Sequence, residues 1–203
     1  GASPGAEGGA FLKTDPALDQ PDIQLHFVAG MVDDHLRKLH FGSGFSCHVC
    51  VLRPKSRGTV KLASADPFAA PLIDPNYLDD PYDLQVMIKG VKMVDRILKS
   101  PALARWRKSE LYTAEAKSDA DWEQHIRARA DTIYHPVGTA KMGTDKMTVV
   151  DPHLRVHGFE GLRVVDASVM PTLIGGNTNA PVMMIAERAA DWINSKSGIS
   201  VAN

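Results

Sequence analysis

The residues best suited to chemistry lie in the last third of the chain. A single imidazole, His135, follows Tyr134 and precedes Pro136, Val137 and Gly138, so it sits where the chain must turn. Further on, Gly175 and Gly176 lead into Asn177, Thr178 and Asn179, and these into Ala180 and Pro181. Glycine permits close backbone approach and proline suits the first position of a helix, so a helix opening at Pro181 is expected to have both asparagines at its N-terminus. Such a terminus offers unpaired N–H groups and the positive end of a dipole, a place for a ligand with negative charge. Between these groups a short β-like run, 162–165, ends in Asp166, Ala167 and Ser168. Taken singly, each has an ordinary role: a histidine satisfied in a turn, asparagines as turn and cap residues, an aspartate capping the next turn.

Other candidate chemistry is weaker. Cys47 and Cys50 are the only cysteines, without a second ligand pair or a strand-to-helix redox turn, and the run 45–52 reads as a strand that points them to opposite faces. They read as reduced structural thiols. His153 and His157 are four apart, but Pro152 and Gly158 argue for strand and turn, so they read as surface residues. Residues 31–41, with Asp33, Asp34, His35 and His40, read as a short helix or a loop without metal-ligand spacing.

The elements that must position these residues follow from periodicity and punctuation. Residues 1–10 read as loop, and no Gly-x-Gly-x-x-Gly spacing occurs along the chain. Residues 22–28 alternate as a half-buried strand with His26 on the polar face. The runs 45–52 and 59–63 read as two strands joined by a hairpin-like 53–58, and 65–77, with three prolines, as extended or turning. Asp80 and Pro81 start a helix whose core face is expected at Leu84, Met87, Ile88, Val91, Val94 and Leu98. A short helix is expected at 103–106, and Ser118 with Asp121 starts another whose Trp122 and Ile126 share a face. The helix from Pro181 to about Asn194 is apolar nearly all round and reads as buried between layers, with a polar, frayed tail after Ser195.

Composition excludes several classes. With 44% hydrophobic residues in a chain of 203, a core can form. Twenty-three basic and 24 acidic residues, without a long like-charged run, point away from nucleic acid or an anionic membrane as partner. No apolar run approaches the roughly 18 residues needed to span a bilayer, and residues 1–10 lack a secretory signal's basic start and apolar centre. The expected location is cytoplasmic.

Three ordered motifs carry a family resemblance: Tyr134-His135-Pro136-Val137-Gly138-Thr139, Val165-Asp166-Ala167-Ser168-Val169-Met170-Pro171 and Asn177-Thr178-Asn179-Ala180-Pro181. Together they resemble the C-terminal signature of the glucose-methanol-choline oxidoreductases, flavoenzymes that oxidise alcohols, in particular the choline and aliphatic alcohol dehydrogenase branch. Weaker similarity at 52–58, 72–77 and 22–25 extends it over nearly the whole chain.

The resemblance implies an α+β fold, an antiparallel sheet with flanking helices. Residues 1–130 would form the C-terminal part of a substrate-binding domain, and 131–203 the active-site histidine segment that returns to complete an FAD-binding domain. The N-terminal half of that domain would be a missing partner. The implied reaction is oxidation of a small alcohol to the aldehyde, with hydride passing to FAD. His135 would be the base, since an imidazole of pKa about 6.5 accepts a proton at neutral pH. Asn179 would give the substrate oxygen a second hydrogen bond. Asp166, Ala167, Asn177, Thr178 and Pro181 would face the cofactor, and His26 and Ile133 the substrate cavity. Two other readings stand beside this: a non-catalytic binding domain of the same fold, and a metal-dependent hydrolase using His135 and His153, for which no carboxylate cluster is at hand. Alone, the chain is expected to hold no FAD tightly and either to self-associate through its last helix or to leave that helix poorly ordered.

Overall fold

The computed structural model describes residues 5–34 and 37–196. His35, the start of the chain before residue 5 and the polar tail after residue 196 lie outside them. The chain packs as two compact units, the first of residues 1–57 and 77–133, the second of 58–76 and 134–203.

The first unit is built on an antiparallel sheet in the order β1 (Ala6–Leu12), β2 (Ile23–Val28), β3 (Ser46–Val51). β1 corrects the expectation of loop at 1–10. Its glycines weaken the strand locally, and the register shifts between Ala6 and Gly8, but from Gly8 to Leu12 β2 supplies a continuous ladder, with Gly9 opposite His26 and Ala10 opposite Leu25. A Cβ at Gly9 would press on the Leu25 carbonyl, 3.1 Å away, so the bare backbone suits this close pairing. β2 is the central strand. Ile23, Gln24 and Leu25 are all buried and His26 is half-buried opposite His48, so the expected polar face is not a solvent face. Cys47 and Cys50 on β3 are free thiols, half-buried, and burial pushes both above their ordinary pKa.

Helix α1 (Pro81–Leu98) covers this sheet. Asp80 caps it by accepting from the Tyr82 N–H at 2.9 Å, and Pro81 occupies the first helical position as expected. The buried stripe differs from the apolar one in the sequence: it is Asp83, Val86, Gly90 and Val94, with Leu84, Met87, Ile88 and Val91 half-buried beside it. Gly90 sets the approach, because a Cβ there would lie 2.9 Å from a Val49 methyl on β3. Asp83 is 3% exposed, and its carboxylate accepts from the backbone N–H of Lys55 at 2.7 Å and of Ser56 at 2.9 Å. Ile23, Leu25, Val86 and Val94 form the core. A 3₁₀ turn, Pro101–Trp106, follows, and α2 (Asp119–Arg129) opens with the expected reciprocal box between Ser118 and Asp121 and buries Trp122 and Ile126.

The described residues of 31–41 form an irregular loop tied down by Asp33. Its carboxylate accepts from the Tyr112 hydroxyl at 2.5 Å, hydrogen-bonds to His40 Nε2 at 2.8 Å and pairs with Arg129 at 3.0 Å, while the Arg129 guanidinium lies over the Tyr112 ring. The hydrogen bonds of Tyr112 and His40, then the charges of Arg129 and Lys38, hold the Asp33 carboxyl down at about 2.

In the second unit β4 (Thr59–Lys61) pairs with β5 (Leu72–Asp74), not with β3 as the hairpin-like 53–58 suggested. The amides of Lys55 and Ser56 are engaged by Asp83, which turns the connection away from a hairpin with β3. The run 162–165 makes no regular strand. It forms only an isolated bridge, Arg155 to Arg163, because no long neighbouring strand pairs with it among the described residues. Helix α3 (Asn179–Lys196) starts two residues before the expected Pro181. A proline in the first turn lacks only an N–H that the helix does not use, so the start slips to Asn179 at no cost in helical bonds. Nor is α3 buried all round: Ala189 is buried and Ile185 and Trp192 pack with Val150, Leu154 and Val169, whereas Met183 and Met184 are 55% and 61% exposed. Among the described residues no helix is long and apolar enough to cross a membrane.

Candidate active site

One segment of the second unit, residues 135–142, touches both of the other motifs. At its far end the Ala140 N–H donates to Ser168 O at 3.0 Å and the Met142 N–H to Val169 O at 2.8 Å. These bonds pin it to a 3₁₀ turn, Ala167–Val169, capped by Asp166, whose Oδ1 accepts from the Ser168 N–H at 2.8 Å and from its hydroxyl. Gly138 turns between, at φ +88°, a conformation that side chains resist. At its near end Tyr134 has φ +64°, which for a non-glycine residue costs roughly 1–2 kcal/mol. That strain is held next to the imidazole, directly before His135.

His135 is half-buried, and both ring nitrogens are addressed from the start of α3. Nδ1 lies 2.9 Å from Thr178 Oγ1, and Nε2 lies 2.9 Å from Asn177 Nδ2. An amide NH₂ group can only donate, so Nε2 accepts, Nδ1 carries the proton, and Thr178 Oγ1 accepts it. This tautomer turns the ring's lone pair toward Asn177. Thr178 is 8% exposed and is fixed through its backbone, since its carbonyl accepts from the Val182 N–H at 3.0 Å.

The structure therefore joins His135 to Asn177 and Thr178. Asn179, expected beside the imidazole, is the first residue of α3 and is exposed, and among the described residues no hydrogen bond links it to His135. Residues two apart in a turn face different ways, so only one of the two asparagines can meet the ring. Ala180 and Pro181 follow in the first helical turn. Asp166 is exposed and Ala167 half-buried. His26 and Ile133 belong to the first unit, His26 in the central strand and Ile133 at its last residue, 38% exposed. His153 and His157 are exposed, as expected, with the His153 ring against Trp192.

A cofactor with hydroxyl and anionic groups would find an exposed carboxylate at Asp166 and the positive end of α3 in this unit. Asp166 spends Oδ1 on Ser168 and offers Oδ2 to a hydroxyl, while the N-terminus of α3 favours negative charge.

His135 thus meets a hydroxyl and an amide at the N-terminus of α3, on an α+β scaffold. Residues 54–186 match the family model for GMC oxidoreductase, and the chain belongs to this family. It is 50% identical over 192 residues to an alcohol dehydrogenase (acceptor) from Pseudomonas putida, a match covering 94% of this chain and 35% of that protein. It is 43% identical over 202 residues to the mitochondrial choline dehydrogenase of Homo sapiens, covering 98% of this chain and 34% of that one. Among solved structures, pyridoxine 4-oxidase from Mesorbium loti superposes with a TM-score of 0.86 at 32% identity, over 94% of this chain and 38% of that chain. An FAD-dependent oxidoreductase from Chaetomium thermophilum gives a TM-score of 0.75 at 28% identity, over 89% of this chain and 29% of its own. The chain thus spans about a third of the length of the curated relatives it matches.

Proposed function

We propose that this chain is the C-terminal part of an FAD-dependent enzyme that oxidises a choline-like or aliphatic primary alcohol to the aldehyde. The observation that carries this reading is the pair of contacts to the His135 ring, Nδ1 2.9 Å from Thr178 Oγ1 and Nε2 2.9 Å from Asn177 Nδ2, an arrangement that leaves Nε2 to accept. When bound, FAD supplies the acceptor for the hydride that leaves the alcohol carbon. The protein's own part is to take the hydroxyl proton. Substrate oxygen replaces the Asn177 amide at Nε2, His135 accepts the proton there, and the Asn177 N–H turns to the same oxygen and steadies its developing charge. Asp166 and the first turn of α3, from Asn179 to Pro181, would hold the cofactor.

The rest of the full-length protein supplies the phosphate-binding half and covers the outer face of α3, where Met183 and Met184 are exposed. Alone, the chain binds FAD weakly and self-associates through that face.

The test is made in the full-length enzyme. His135→Ala lowers turnover by at least about a hundredfold with flavin content unchanged, as loss of a general base requires. Asn177→Ala lowers turnover more than Asn179→Ala, because Asn177 is the asparagine against the ring. Near-normal turnover for His135→Ala would refute the reading.

A further inference from the structure

We propose that Thr178 is a positioning residue: its hydroxyl accepts the Nδ1–H of His135 and so keeps the lone pair of Nε2 aimed at the reacting hydroxyl. This rests on the reading of His135 as the base, and it gives the Thr178 hydroxyl a different use from the cofactor contact its motif position implies.

A neutral imidazole can carry its proton on either nitrogen, and a base needs the lone pair on the nitrogen that faces substrate. The Asn177 amide, 2.9 Å from Nε2, gives that lone pair a donor before substrate binds, but substrate displaces the amide, so it cannot set the tautomer during the reaction. Thr178 stays. Its Oγ1 is 2.9 Å from Nδ1 on the ring side away from Asn177.

Two features make the contact durable. Thr178 is 8% exposed, so water cannot readily take its place. Its carbonyl is bound to the Val182 N–H in the first turn of α3, and its β-branched side chain has few rotamers, so the oxygen is placed by the helix itself. Once His135 has taken the substrate proton at Nε2, Thr178 still accepts from Nδ1–H, now from a cation, and that bond strengthens as the reaction proceeds. The hydroxyl therefore supports the product of proton transfer more than its starting state. Loss of the hydroxyl should lower the turnover number and leave KM nearly unchanged.

The experiment uses full-length enzyme with FAD bound. Thr178→Val replaces the hydroxyl by a methyl of similar shape, and Thr178→Ser keeps the oxygen. The Val variant is expected to lose about tenfold in kcat, the factor one neutral hydrogen bond supports, with KM within about twofold. The Ser variant stays within about twofold of the parent. In ¹⁵N-histidine spectra, the resonance pair missing from His135→Gln reports the Nδ1–H tautomer in the parent and in Thr178→Ser, and a mixture in Thr178→Val. If the Val variant releases its flavin, Thr178→Ala is read in the same way. A parental tautomer and parental kcat in the variant lacking the hydroxyl overturn the proposal. Parental turnover in His135→Ala overturns the base reading instead, and the tautomer spectrum still tests the Thr178 contact alone.

Discussion

Replacing Asp83 by alanine isolates what one buried carboxylate contributes to the first unit. It is 3% exposed, and its two oxygens accept the N–H groups of Lys55 and Ser56 at 2.7 and 2.9 Å. Alanine removes both acceptors, and an orphaned buried donor costs about 1–3 kcal/mol. Lys55 is exposed and Ser56 half-buried, so water reaches the gap in part. The lower half of the range then applies, about 1.5 kcal/mol for each amide. Taking a negative charge from the first turn of α1 adds roughly 0.5 kcal/mol. The expected loss is about 3.5 kcal/mol for Asp83→Ala. Asp83→Asn keeps the volume and one acceptor but sets an NH₂ against the second amide, for a loss of about 2 kcal/mol. Urea unfolding of the full-length protein followed by circular dichroism measures the totals, and hydrogen exchange at Lys55 and Ser56 shows whether the loss is local. A loss below about 1 kcal/mol for alanine, with both amides still protected, would show that the carboxylate holds nothing that water cannot replace.

Three further outcomes are expected. Hydrogen bonds from Tyr112 and His40 hold the Asp33 carboxyl at about 2 against an ordinary 3.8, so its stabilisation is present above the ordinary value and lost as pH falls toward the lower one. That loss is at most about 2.5 kcal/mol, and Asp33→Asn should flatten the acid limb of the pH–stability curve in that window. A Cβ at Gly58 would overlap the backbone of Asp74 and Pro75, so Gly58→Ala should separate β4 from β5 and cost roughly 3 kcal/mol, seen as lost amide protection at Val60 and Ile73. Gly90→Ala, meeting a Val49 methyl instead of backbone, should cost less, about 1–2 kcal/mol in the same unfolding assay.

The features legible in the sequence were those decided within a few residues. Asp80 with Pro81, and Ser118 with Asp121, fix the starts of α1 and α2 by hydrogen bonds that close locally, and the structure forms both. Features set by distant partners were not legible. β1 is glycine-rich and becomes a strand only because β2 pairs with it, while 162–165 has strand composition but, among the described residues, pairs only across the short bridge at Arg155. The buried stripe of α1 includes Asp83 and Gly90, which no apolar periodicity marks, because one is needed for its oxygens and the other for its lack of a side chain. At the site, the motifs indicated His135 and a pair of asparagines, but only the turn between them decides that Asn177 reaches the ring. A helix start at Asn179 would have been the usable signal, and Pro181 masked it.

Pro181 has an effect beyond the helix boundary. Of the amides in the first turn of α3, the one at Pro181 does not exist and the one at Val182 is spent on the Thr178 carbonyl, leaving at most those of Asn179 and Ala180 to meet a ligand. A tetrahedral phosphate is held by a fan of several amides, whereas two adjacent donors match a flat group with charge delocalised over neighbouring atoms. The proline thus leaves this helix end with one donor fewer than a helix start without proline would present.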